Sequence, residues 1–174
     1  MTPLPTVLAS RLESEDALVA WRLDQARFAR TWDSGEGAFQ VGGRWNSAGV
    51  QAVYASLDPA VVILEVAAHA GFRTLDTVPH VLSSLTIADP SLVHVVRPED
   101  LPNQAWIRPG VPGAGQQAFG DALLAANPFV LFPSVTSSHS WNLVFTPARA
   151  AGLYALRGQE PFALDTRLHP PVRP

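Results

Sequence analysis

Cysteine is absent from this 174-residue chain, and so is lysine: all 12 basic residues are arginine. The first absence excludes disulfides and thiolate metal sites, and nothing points to export. The second excludes lysine Schiff-base chemistry and the lysine of a phosphate-binding P-loop. Charge is sparse as well. Only 16% of the residues are charged and the net charge is −3, which argues against a protein that tracks nucleic-acid phosphates. No apolar run is long enough to span a bilayer, since the run from Val61 to Ala68 is interrupted by Glu65. Met1 to Pro5 has neither the basic start nor the apolar centre of a signal peptide, so a cytoplasmic protein is expected. The histidines at 69, 80, 94, 139 and 169 lack metal-ligand spacing, and no metal site is expected. Gly-x-Gly-x-x-Gly, Walker and Gly-x-Ser-x-Gly motifs are all missing, so any nucleotide is held by a nonstandard site.

What is present is a globular composition, 47% hydrophobic, in a length that suits one domain over 1–174. Residues 1–16 read as a loose arm and 165–174 as a polar tail. Strands are expected at 17–23, 51–57, 81–87, 92–96, 129–132 and 141–145, with a last edge strand at 162–164. Asp33 to Gly37 reads as loop. Asp58-Pro59 is a helix start, an N-cap followed by proline at the first helical position, and that helix should stop at Gly71. Residues 97–115 read as a long surface connection anchored at Trp106, and 116–126 as a second helix. About seven short strands with two or three helices give an α+β fold rather than an alternating β-α-β one.

The chain is organised around the stretch from Gly42 to His69. Gly42-Gly43-Arg44-Trp45-Asn46 with Gly49 makes a glycine-hinged turn carrying an arginine. Tyr54 follows on a strand of small residues, and Glu65 lies within an apolar helix, where an ionised carboxylate without a partner is costly. Arg22 sits near the end of the first strand, and Arg22 and Arg44 could grip a pyrophosphate through paired guanidinium hydrogen bonds. Tyr54 could wall a pocket for a flat ring, or simply be core. Glu65 suits either stabilising positive charge on a ribose or activating a nucleophile, with His69 one turn later as a supporting residue. The plain alternative is that Glu65 and His69 form the solvated stripe of a buried helix. Ser134 follows a buried strand and Pro133, which puts its hydroxyl at a strand end.

Trp21-Arg22-Leu23, Ser34-Gly35-Glu36-Gly37-Ala38, Gly42-Gly43-Arg44-Trp45-Asn46, Gly49, Tyr54, Glu65, Pro133-Ser134 and Asn142 together resemble the RES domain, over roughly residues 20–147. The segment Ser138 to Asn142, ending at Thr146-Pro147, departs from the family's usual Pro and Glu before the Asn and Asn-Pro after it. The resemblance implies an ADP-ribosyltransferase-like fold of twisted, mostly antiparallel sheets with a few flanking helices. It implies a toxin of a type II toxin–antitoxin system that takes NAD+ as substrate and cleaves the nicotinamide–ribose bond. ADP-ribose then passes to water, phosphate or a protein such as phosphoribosyl pyrophosphate synthetase. An Xre-like antitoxin that blocks the active site is the implied partner. Glu65, Tyr54 and Arg22 become the catalytic set. Arg22, Arg44, Tyr54 and Ser134 bind NAD+, with His69, Asn46 and Asn142 behind them. A RES-like domain that binds a nucleotide or partner without turnover is the competing reading.

Overall fold

A computed structural model of the chain describes residues 17–170; the expected arm at 1–16 and residues 171–174 of the expected tail lie outside the described residues. Seven strands are present among the described residues: β1 (Leu18–Gln25), β2 (Val53–Ser56), β3 (His80–Ile87), β4 (Val93–Val95), β5 (Phe129–Pro133), β6 (Trp141–Phe145) and β7 (Tyr154–Phe162). They form a single open sheet in the order β4-β5-β6-β2-β1-β3-β7. Every neighbouring pair is antiparallel except β4 and β5. Four α-helices flank it: α1 (Glu36–Val41), α2 (Pro59–Ala70), α3 (Phe72–Thr77) and α4 (Ala114–Ala126). The fold is α+β, as the mixture of short strands and few helices leads one to expect.

Alternation along the central strands explains how both faces of the sheet are filled. Phe129 and Leu131 of β5 join Leu143, Phe145, Val53, Ala55, Leu85 and Ile87 in one core. Val130 and Phe132 point the other way and pack with Val144, Trp45 and Leu124 beneath α4. With both faces covered, β5 reads as an unbroken apolar run. A third cluster, Leu23, Leu82, Val62, Ala67 and Leu75, seats α2 and α3.

The ends of α2 follow from its sequence. Asp58 caps it by accepting from the Ala60 N–H at 2.8 Å, Pro59 occupies the first turn, and Gly71 at φ 81° ends it.

Two expectations need correction, and one helix was not anticipated. The last edge strand runs from Tyr154 to Phe162 rather than over 162–164. It escaped notice because it contains Gly158 and Pro161 and is largely exposed, so it carries no apolar alternation. Part of the Asp33–Gly37 loop is helix, since Glu36 opens α1. Helix α3 is short and directly follows Gly71, and its six residues give too little length for a periodic signal.

Candidate active site

The loop from Gly42 to Val50 is fixed from below by strand residues and from one side by α4. Trp45 is buried and lies flat on Phe132, with ring centroids 4.3 Å apart and an interplanar angle of 7°. Its backbone N–H donates to the Tyr54 hydroxyl at 3.0 Å, and that hydroxyl donates to Asn46 Oδ1 at 2.7 Å. The fully buried Asn46 amide in turn donates to the carbonyls of Ala38, Ser47 and Val50. From α4, Gln117 Nε2 donates to the Gly43 carbonyl and Asp121 Oδ1 accepts from the Ser47 N–H. Two glycines permit this closeness. A Cβ on Gly43 would lie 2.6 Å from the Tyr54 hydroxyl, and one on Gly120 would lie 2.1 Å from the Trp45 carbonyl oxygen.

Arg44 therefore projects from a rigid loop. Its Nη1 donates to the Trp106 carbonyl at 3.2 Å and its Nη2 to the Gly110 carbonyl at 3.0 Å. The Trp106 carbonyl also accepts from Gln116 Nε2 at 3.1 Å. Burial lowers the Arg44 pKa from its ordinary value, while the charge of Glu65 and the presence of Tyr54 act in the opposite direction. Burial likewise raises the Tyr54 pKa well above the ordinary phenol value, so the hydroxyl stays protonated and able to donate.

Arg22 lies within β1 rather than at its end. Strands β1 and β2 share the single register pair Trp21–Ser56, and beyond it Arg22 Nη1 reaches the Tyr54 carbonyl at 2.8 Å. Its Nη2 pairs with Asp24 Oδ1 at 2.5 Å. Arg22 Nε and Asp24 Oδ2 are buried without partners among the described residues. Burial raises the Asp24 pKa, and the Arg22 guanidinium, then His80, pulls it back down. Much of the Arg22 charge is thus answered inside the protein. Asp24 was not singled out from the sequence, although its spacing of two from Arg22 on one strand places both on the same face.

Glu65, on α2, is partly buried and points to the far end of the β5–β6 hairpin. Its Oε1 accepts from Ser134 Oγ at 2.8 Å and from Asn142 Nδ2 at 2.7 Å. Its Oε2 takes no hydrogen bond from the described residues and is not among their buried unpaired atoms. The solvated-stripe alternative is set aside for Glu65, whereas His69 is exposed and forms no hydrogen bond with it. Ser134 is itself buried, and its hydroxyl also meets Thr136 Oγ1 at 3.1 Å and the N–H groups of Thr136 and Ser137 at 3.2 Å. Thr136 is a further polar neighbour that sequence reasoning missed, its signal hidden in a serine- and threonine-rich loop.

The arrangement brings a carboxylate, with one oxygen committed and the other without a hydrogen bond among the described residues, into the field of the Arg44 cation, beside a tyrosine-braced loop. Such a group can stabilise a positive charge that develops on a ligand. Two cavities, of about 500 and 230 Å3, are lined by none of Glu65, Arg22 and Arg44; the larger borders the Arg44 loop at Val50 and α4 at Asp121. Among the described residues, no cluster of three His, Asp or Glu side chains could hold a metal ion, and no helix is long and apolar enough to cross a membrane.

A family model described as RES domain matches residues 19–165. Among solved structures, a chain of the M. tuberculosis MbcT–MbcA toxin–antitoxin complex matches with a TM-score of 0.67 and 24% sequence identity, over 92% of this chain and 94% of that one. At that identity the likeness speaks for a shared fold. No curated protein matches the chain significantly.

Proposed function

The chain belongs to the RES domain family, and on that premise we propose that it is the NAD+-consuming toxin of a toxin–antitoxin pair. The observation that carries the reading is the asymmetry of Glu65: Oε1 is tied down by Ser134 and Asn142, and Oε2 accepts from no side chain or backbone group among the described residues. The proposed reaction breaks the bond between the nicotinamide nitrogen and ribose C1′, and the electron pair leaves with nicotinamide. Positive charge then builds over C1′ and the ring oxygen, where a held carboxylate lowers the barrier without reorganising. A nucleophile supplies the new pair to C1′; water, phosphate and a protein side chain are the three acceptors in this reading. The Arg44 guanidinium is the anchor for the pyrophosphate, and the Tyr54 ring is the wall for the nicotinamide. Arg22 contributes mainly by holding β1 against β2, given its internal pairing with Asp24.

The match to a chain of a toxin–antitoxin complex supports a partner protein, proposed to be an Xre-like antitoxin that covers this site in the cytoplasm. The site offers such a partner the Arg44 guanidinium, which a carboxylate could grip as a phosphate would. One domain over 1–174 and an ADP-ribosyltransferase-like ancestry of the fold belong to the same proposal.

Purified protein incubated with NAD+ should release free nicotinamide, and Glu65→Gln should abolish the release while still binding NAD+, because the carboxylate acts on transition-state charge. Expression of the chain without its partner should arrest bacterial growth and lower intracellular NAD+, and Glu65→Gln should be tolerated. Unchanged NAD+ with wild-type protein soluble in the cell refutes the reading. Binding without release would favour the non-catalytic alternative.

A further inference from the structure

We propose that Asn142 is a positioning residue that commits Glu65 Oε1 and so leaves Oε2 as the single oxygen offered to the ligand, an inference that rests on the catalytic reading of Glu65. A carboxylate can only accept, so the Asn142 amide must turn its nitrogen toward Glu65, where Nδ2 donates at 2.7 Å. That orientation has a consequence at the other end of the amide: Oδ1 is buried and finds no donor among the described residues. Buried polar groups in folded proteins are almost always paired, and an exception marks a residue kept for something other than stability. An apolar side chain of similar size at this position would leave no orphaned oxygen. The only side-chain hydrogen bond that Asn142 makes among the described residues is the one to Glu65. The fold gains little from this amide; the carboxylate gains an orientation.

The backbone places the two donors with care. Asn142 stands opposite Phe132 on β5 and opposite Ser56 on β2, so its backbone is paired on both sides within the sheet. Ser134 follows the end of β5 and is tied by its N–H to the Ser140 carbonyl at 2.9 Å. Both donors therefore sit on the same hairpin and converge on one oxygen of a side chain that comes from a separate helix. With Ser134 alone, a single hydrogen bond would resist rotation of the Glu65 carboxylate about its terminal bond. A second donor on the same oxygen stiffens it further, because turning the carboxylate away strains two hydrogen bonds together.

The test compares Asn142→Ala with Asn142→Asp. Aspartate keeps the size of asparagine but replaces the donor with a like charge against Glu65. A residue that merely fills space would change stability without a selective loss of kcat. The positioning role predicts a split: kcat for nicotinamide release falls about tenfold in Asn142→Ala and about a hundredfold in Asn142→Asp, with KM for NAD+ nearly unchanged in Asn142→Ala. Acidification should narrow the gap, since a protonated Asp donates again. An unchanged kcat in Asn142→Ala, or a loss carried by KM alone, overturns the inference.

A second readout needs no turnover. In 15N-labelled protein, the Asn142 side-chain amide, assigned by its disappearance in Asn142→Ala, should have its proton resonance shifted in Glu65→Ala. An unshifted amide overturns the inference. If the amide shifts and wild-type protein fails to cleave NAD+, the positioning geometry stands and the proposed reaction is the part that fails.

Discussion

The hydroxyl of Tyr54 joins the strand at the centre of the sheet to the loop that carries Arg44, donating to Asn46 Oδ1 at 2.7 Å. It also accepts from the Trp45 N–H at 3.0 Å. Tyr54 is thus a brace as well as a ring. Tyr54→Phe keeps the ring and removes the brace, leaving a buried acceptor and a buried donor unpaired. The expected cost is about 1–3 kcal/mol, read by urea unfolding. A variant as stable as wild type would show that the loop is held by other means.

Arg44 uses both terminal nitrogens at once, on the Trp106 and Gly110 carbonyls. A lysine keeps the charge but offers a single point of attachment. Arg44→Lys should bind NAD+ more weakly than wild type and Arg44→Ala more weakly still, the alanine variant losing about 1.5–3 kcal/mol of a charge-assisted contact. Calorimetric titration in a Glu65→Gln background measures binding without turnover. Wild-type affinity in the alanine variant removes Arg44 from the site.

Asp24 gives a pH signature. Burial outweighs the pull of Arg22, so its folded pKa lies above the ordinary 3.8 and the folded state holds this proton more tightly than the unfolded chain. Its contribution favours folding below the unfolded value and is lost as pH rises through the folded pKa. Asp24→Asn removes the titrating group while keeping an oxygen for Arg22. Relative to wild type, the variant should therefore gain stability as pH rises across that interval, measured by denaturant unfolding at a series of pH values. A difference that does not change with pH contradicts this assignment.

Residues with strong local chemistry were legible in the sequence. Asp58-Pro59 and Gly71 marked the two ends of helix α2, and the continuous apolar stretch at 129–132 gave away a strand covered on both faces. Glu65 stood out because a carboxylate in an apolar helix needs a partner, and the structure supplies Ser134 and Asn142. Long-range partners were hidden. Nothing local to Arg44 announces that its guanidinium ends on carbonyls more than sixty positions away. Nor does Gly120 reveal that it lies against the Trp45 backbone, since a glycine in a helix carries no sign of what approaches it. His69 misled for the opposite reason: spacing along a helix gives adjacency, but the direction of Glu65 was set by the hairpin and not by its neighbour.

The strand order carries a consequence for how the molecule breathes. Among the described residues, edge strands β4 and β7 have a sheet partner on one side only, and they open more readily than the strands between them. Tyr54, Asn142 and Arg22 all lie on the inner strands β2, β6 and β1, and Ser134 directly follows inner strand β5. Fraying at either edge can therefore come and go while Glu65 keeps both of its donors. In hydrogen exchange, amides of β2 and β6 should outlast those of β7 by a wide margin, so that the carboxylate loses its alignment only when the whole domain unfolds.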